Sequence, residues 1–146
     1  MRTKARHVAL AGLTIAVLAS PGGSAWAESV AYKADLKAAS EVPANSSKGT
    51  GSAVVTFDTV SKKLDWTVTF SGLTGAATAA HFHGPADVGK NSGVAVPISG
   101  KTSPMTGSAT LTDAQAADLT AGKWYVNVHT AANKDGELRG QVVAGK

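Results

Sequence analysis

Three histidines, His81, His83 and His129, are the residues of this chain best suited to chemistry. A fourth, His7, sits in an N-terminal stretch with the character of a removable leader. His81 and His83 are two residues apart, so on a β-strand both point to the same face. Phe82 takes the opposite face and is the natural core residue. In the run from Trp124 to His129, the apolar set is Trp124, Val126 and Val128. Tyr125, Asn127 and His129 then take the outer face. If both strands share a sheet, three imidazoles converge outside the core.

Neutral imidazole is the commonest metal ligand, and three of them with one open position suit zinc or copper. The chain has no cysteine, which removes thiolate sites, disulfides and thiol nucleophiles together. With nitrogen ligands alone, intrinsic affinity favours copper over zinc. The plainer alternative is a set of solvated histidines bonded to neighbours such as Asn127 or Asp87.

The stretch Gly136-Glu137-Leu138-Arg139-Gly140-Gln141 is the second place of interest. Leu138 fits the core, while Glu137, Arg139 and Gln141 alternate outward. Beside the strand of His129, Arg139 could attract a small anion. Glu137, Arg139 and Asn127 are therefore the candidates for supporting or anion-guiding residues around the histidines. The favoured plain reading is a surface Glu-Arg ladder paired with Asp135 or Asp87.

The elements that must position these groups read as strands and turns. Residues 51–58 and 64–70 alternate strictly and are joined by a short polar turn, the pattern of a β-hairpin. Further strands are expected at 32–38, 78–83, 93–98, 106–111, 123–130 and 137–143. Gly, Pro, Asn and Ser clusters separate them. About eight short strands at this spacing predict an all-β, antiparallel β-sandwich or Greek-key barrel. One short crossover helix interrupts them: Thr112 and Gln115 form a capping box, and Gly122 closes the helix. Trp66 and Trp124 fit core positions. No nucleophile elbow, phosphate loop or dinucleotide fingerprint is present, and no catalytic residue can be named.

The N-terminus carries an address. Arg2, Lys4 and Arg6 precede an apolar run, and Ala25-Trp26-Ala27 offers small residues for a signal peptidase. The run is shorter than the roughly 20 residues of a membrane span. Residues 1–27 are therefore expected to be a secretory signal peptide and 28–146 a single exported domain, periplasmic or secreted, without a membrane span. The formal charge of +4 includes those three basic residues, so the remainder stands near +1. Its lysines are scattered, and it has no footprint for nucleic acid.

Four blocks carry a family resemblance: Ala39-Ser40-Glu41-Val42-Pro43, Ala79-Ala80-His81-Phe82-His83-Gly84, Trp124-Tyr125-Val126-Asn127-Val128-His129-Thr130, and Gly136-Glu137-Leu138-Arg139-Gly140-Gln141. In this order the chain, from about Tyr32 to Val143, resembles the chordin-type (CHRD) domain family. That resemblance implies a β-sandwich domain of the kind found in chordin and in bacterial exported proteins. It also implies that His81, His83, His129, Glu137 and Arg139 belong to the family pattern. The order of His81-Phe82-His83, His129 and Arg139 is similar to the copper site of copper-zinc superoxide dismutases. Those enzymes add a fourth histidine and a cysteine pair, which this chain lacks after its leader.

Three functions follow as expectations. The first is an exported domain that binds a transition metal ion, copper preferred, through three histidines. The second is a superoxide-dismutase-like copper redox enzyme with Arg139 guiding a small oxidant. The third is a metal-free interaction or adhesion module whose partner is another exported protein.

Overall fold

A computed structural model describes residues 28–145. The expected leader, 1–27, lies outside the described residues. Nine strands and one helix follow in the order β1 Ser29–Lys37, β2 Thr50–Asp58, β3 Lys63–Ser71, β4 Ala77–His83, β5 Val94–Ile98, β6 Met105–Thr110, α1 Asp113–Thr120, β7 Tyr125–Thr130, β8 Leu138–Gln141 and β9 Val143–Ala144. All strand pairs are antiparallel, and the main path runs β5-β4-β7-β8-β1-β2-β3-β6, with β9 also on β1. The edge strands β5 and β6 touch, so the sheet curls into a nearly closed, barrel-like form.

Period-two alternation explains the interior. Tyr32, Ala34 and Leu36 of β1 are buried together with Ala53, Val55 and Phe57 of β2. Leu64, Trp66 and Val68 of β3 continue that face, and Phe82, Trp124, Val126, Val128 and Leu138 complete the core. Trp66 stands opposite Gly107 of β6. A Cβ at Gly107 would lie 2.6 Å from the Trp66 ring, so the missing side chain is what lets the indole lie flat there.

The helix forms where its cap predicts. The Thr112 hydroxyl accepts from the Gln115 N–H at 3.2 Å, and the Gln115 side chain accepts from the Thr112 N–H at 2.9 Å. Leu119 and Ala116 turn into the core. Gly122 adopts φ +71° just past the end, which relieves the left-handed conformation of a Cβ penalty.

Two strand expectations are corrected. The strand expected at 123–130 starts at Tyr125, because the Lys123 N–H bonds back to Asp118 in the helix C-terminal turn. The strand expected at 137–143 divides in two. β8 serves β7 and β1, the Val142 N–H turns to the Trp124 carbonyl, and β9 returns to β1. Among the described residues, no helix is long and apolar enough to cross a membrane.

Candidate metal centre

β4 and β7 are hydrogen-bonded neighbours, with Ala79 opposite His129, His81 opposite Asn127 and His83 opposite Tyr125. Directly paired residues share a face, so His81, His83, Asn127 and His129 lie on one side of the sheet. β8 extends that face by setting Arg139 opposite Asn127. A bulge in the β4–β5 pairing falls between Phe82 and His83. Bulges re-aim the side chain next to them, and this one lies at the second histidine.

The three histidines meet. One ring nitrogen from each of His81, His83 and His129 lies within 4.8 Å of the others. Nitrogens sharing a zinc ion at about 2.0–2.1 Å would stand about 3.3 Å apart. The trio is slightly open relative to that figure, within reach of small side-chain rotations.

Backbone carbonyls fix how two of the rings face. His83 Nδ1 donates to the Ser92 carbonyl at 2.9 Å, and His129 Nδ1 donates to the Lys134 carbonyl at 2.8 Å. A carbonyl can only accept, so both Nδ1 atoms carry the proton. In the neutral rings, both Nε2 atoms then bear lone pairs. Asn127 Oδ1 lies 3.1 Å from His83 Nε2 and 3.0 Å from His129 Nε2. Neutral rings therefore require this amide to be turned over, so that Nδ2 and not Oδ1 faces the two nitrogens. His81 Nδ1 lies 3.1 Å from His129 Nε2. Burial pushes the His81 pKa down, and the neighbouring His129 and His83 lower it further. Burial also lowers His83, against its bond to the Ser92 carbonyl. Both shifts favour the neutral, ligating form.

The histidine face is not an open surface. Residues 38–49 and 84–93 fold over it, and Tyr125, Asn127 and Arg139 are buried beneath them. Tyr125 is held between its neighbours. The His83 ring stacks on it at 4.8 Å, and Arg139 Cζ lies 3.5 Å from its ring centre. The Tyr125 hydroxyl bonds both the N–H and the carbonyl of Ser92, the same carbonyl that fixes His83.

The expected surface Glu-Arg ladder is corrected. Arg139 is 2% exposed and donates to the Asn91 side chain at 2.8 Å and to the Lys90 carbonyl. It holds the 84–93 loop in place. Asp87 pairs with Lys123 instead. Glu137 is fully buried and turns away from the histidines. It accepts from Ser47, Thr74, Thr130 and Asn133. Burial alone would raise its pKa, but the bonds from Ser47, Thr130 and Thr74 outweigh this and hold it at about 2. Glu137 ties three loops together at the end of the sheet.

One group escapes a reading of the sequence. Glu41 is 5% exposed, and its Oε1 has no hydrogen-bond partner among the described residues. It lines a cleft of about 290 Å³ that also contains His83, Asn127, His129 and Asp135. Burial pushes its pKa up to about 7, while Arg139 pulls it down. The only signal was a single acid in the block Ala39-Ser40-Glu41-Val42-Pro43, among small and apolar residues.

No curated protein and no solved structure matches the chain at a significant level. The family model described as the CHRD domain matches residues 32–142, which contain every side chain of this centre. The order of strands, the histidine pair on β4 and the third histidine on β7 all fall within that span: the chain belongs to the CHRD domain family.

Proposed function

We propose that this CHRD domain is exported and captures a transition metal ion, copper in preference to zinc, through His81, His83 and His129. One observation carries the reading. His83 and His129 each donate Nδ1–H to a backbone carbonyl, His129 Nε2 lies 3.1 Å from His81 Nδ1, and one ring nitrogen of each of the three histidines lies within 4.8 Å of the others. Ligating histidines are oriented by such bonds, which also raise ligand basicity. Lowered pKa values at His81 and His83 support the same state at neutral pH. An ion bound there would be a Lewis acid with an open position. This chain's own part is to hold three nitrogens neutral and aimed. The preference for copper rests on the nitrogen-only histidine set and the usual affinity order. Export rests on the leader-like residues 1–27.

The test is metal content and competitive titration of the purified protein beside a His81→Ala/His83→Ala/His129→Ala variant. The expected result is one copper per chain, lost in the variant, with zinc bound more weakly. Equal binding by both proteins would leave the metal-free interaction module as the better reading.

A further inference from the structure

We propose that Glu41 is the charge-compensating group of the histidine centre and makes it selective for a divalent ion over the monovalent cuprous ion. This rests on the three-histidine reading above and adds to it a property that the histidines cannot supply. Three neutral imidazoles bring no negative charge to a bound cation. A dication in a cleft shielded from water gains most from a nearby anion, because Coulomb interactions strengthen as the effective dielectric falls.

Glu41 meets that need from a different part of the fold. It follows the 3-10 turn Ala38–Ser40 at the end of β1, and its N–H bonds the Ala38 carbonyl at 3.2 Å. The same carbonyl accepts from the Asn45 N–H, and the Asn45 side chain is tied to the Glu137 carbonyl at 3.0 Å. The loop is thus anchored on both sides, and Glu41 lines the cleft that also contains His83 and His129. Gly136 makes the room. It has φ +133°, and a Cβ there would collide with the Glu41 carboxylate.

The groups around Glu41 offset its charge only in part: the Val42 N–H and Arg139 favour the carboxylate, but Oε1 has no donor among the described residues. Arg139 is the nearby cation, but its guanidinium is bonded to Asn91 and Lys90 and stacked on Tyr125. Asp135 adds a second negative charge at the cleft. A buried carboxylate oxygen without a donor is costly, and native structures rarely keep one without a reason. The raised pKa of Glu41 expresses the same deficit. A proton can fill it, and so can a divalent ion at the histidines.

The experiment is competitive titration with chromophoric chelators at pH 7.5, measuring Zn(II) and Cu(I) separately. The full-length protein is compared with Glu41→Gln, which keeps the shape and removes the charge, and with Glu41→Asp, which keeps the charge. Glu41→Gln is expected to weaken Zn(II) binding about tenfold or more and Cu(I) binding less than threefold, the difference a nearby charge makes. Glu41→Asp is expected to keep the Zn(II)-to-Cu(I) ratio within about threefold of the parent, because the charge persists. Unchanged Zn(II) binding in Glu41→Gln, or equal losses for both ions, overturns the proposal and leaves Glu41 as a proton carrier. Binding of neither ion by the parent protein overturns the histidine reading itself, and this proposal with it.

Discussion

The ring of His83 lies on the ring of Tyr125, 4.8 Å between centres and 3° from parallel. β7 runs between β4 and β8, so Tyr125 takes His83 from one neighbour and Arg139 from the other. Arg139 in turn holds the 84–93 loop, whose Ser92 carbonyl fixes the His83 proton. A histidine on one strand is therefore oriented by an arginine two strands away.

That chain of contacts predicts a cost for Arg139→Lys. Lysine keeps the charge but loses the planar fork and the stacking surface. Urea unfolding should show a loss of about 2 kcal/mol, the scale of buried hydrogen bonds to a charged group. Amide exchange should speed up at residues 90–92 before it does in β7. An unchanged urea midpoint would mean that Arg139 does not anchor the loop.

Tyr125→Phe should act more locally. It removes the hydroxyl bonded to Ser92 but keeps the ring against His83. The expected loss of stability is about 1 kcal/mol, with metal affinity lowered a few-fold as Ser92 loosens. A thermal or urea melt beside a copper titration reads both effects.

Glu137 and Glu41 predict opposite pH dependence. Folding lowers the Glu137 pKa from 4.5 to about 2. The unfolded chain therefore binds the proton more readily between those values. The stability from Glu137 is fully present above pH 4.5 and disappears as pH falls toward 2, by about 3 kcal/mol. Glu137→Gln should flatten that acid limb and lower stability at pH 7.

Folding raises the Glu41 pKa from 4.5 to about 7, by burial, against Arg139 and with Asp135 adding to the rise. Here the native state holds the proton longer. The metal-free protein should lose stability as pH rises from 4.5 through 7, by about 3 kcal/mol. Glu41→Gln should abolish this loss, and urea midpoints of both proteins between pH 4.5 and 8 will check it.

Gly107→Ala tests the packing beneath the sheet. Its new methyl would lie 2.6 Å from the Trp66 ring. Overpacking of this kind costs about 1–3 kcal/mol. A melting temperature equal to that of the parent would show that β6 can shift aside.

Alternation made much of this legible from the sequence. Leu64, Trp66 and Val68 announce their strand, and the spacing of His81 and His83 places both on one face whatever the topology. The Thr112 and Gln115 cap likewise defines its helix locally. Burial of the outer face was not legible, because it comes from loops. Tyr125, Asn127 and Arg139 read as outward residues by their period, which is correct, but residues 38–49 and 84–93 then cover them. The ring-orienting partners of His83 and His129 are backbone carbonyls of Ser92 and Lys134, which leave no mark in residue type. Glu137 read as an outward residue because its strand was expected to begin there. The strand begins one residue later, and the side chain turns to Thr130 instead.

The most direct measurement is long-range proton–nitrogen NMR of the imidazoles during addition of one equivalent of Zn(II), a diamagnetic probe of the same ligands. Metal capture by the three histidines predicts that the Nε2 resonances of His83 and His129 move to metal-bound values, that one nitrogen of His81 does the same, and that Nδ1 of His83 and His129 stays protonated. Unmoved Nε2 resonances at stoichiometric zinc, or loss of the two Nδ1 protons, would contradict it.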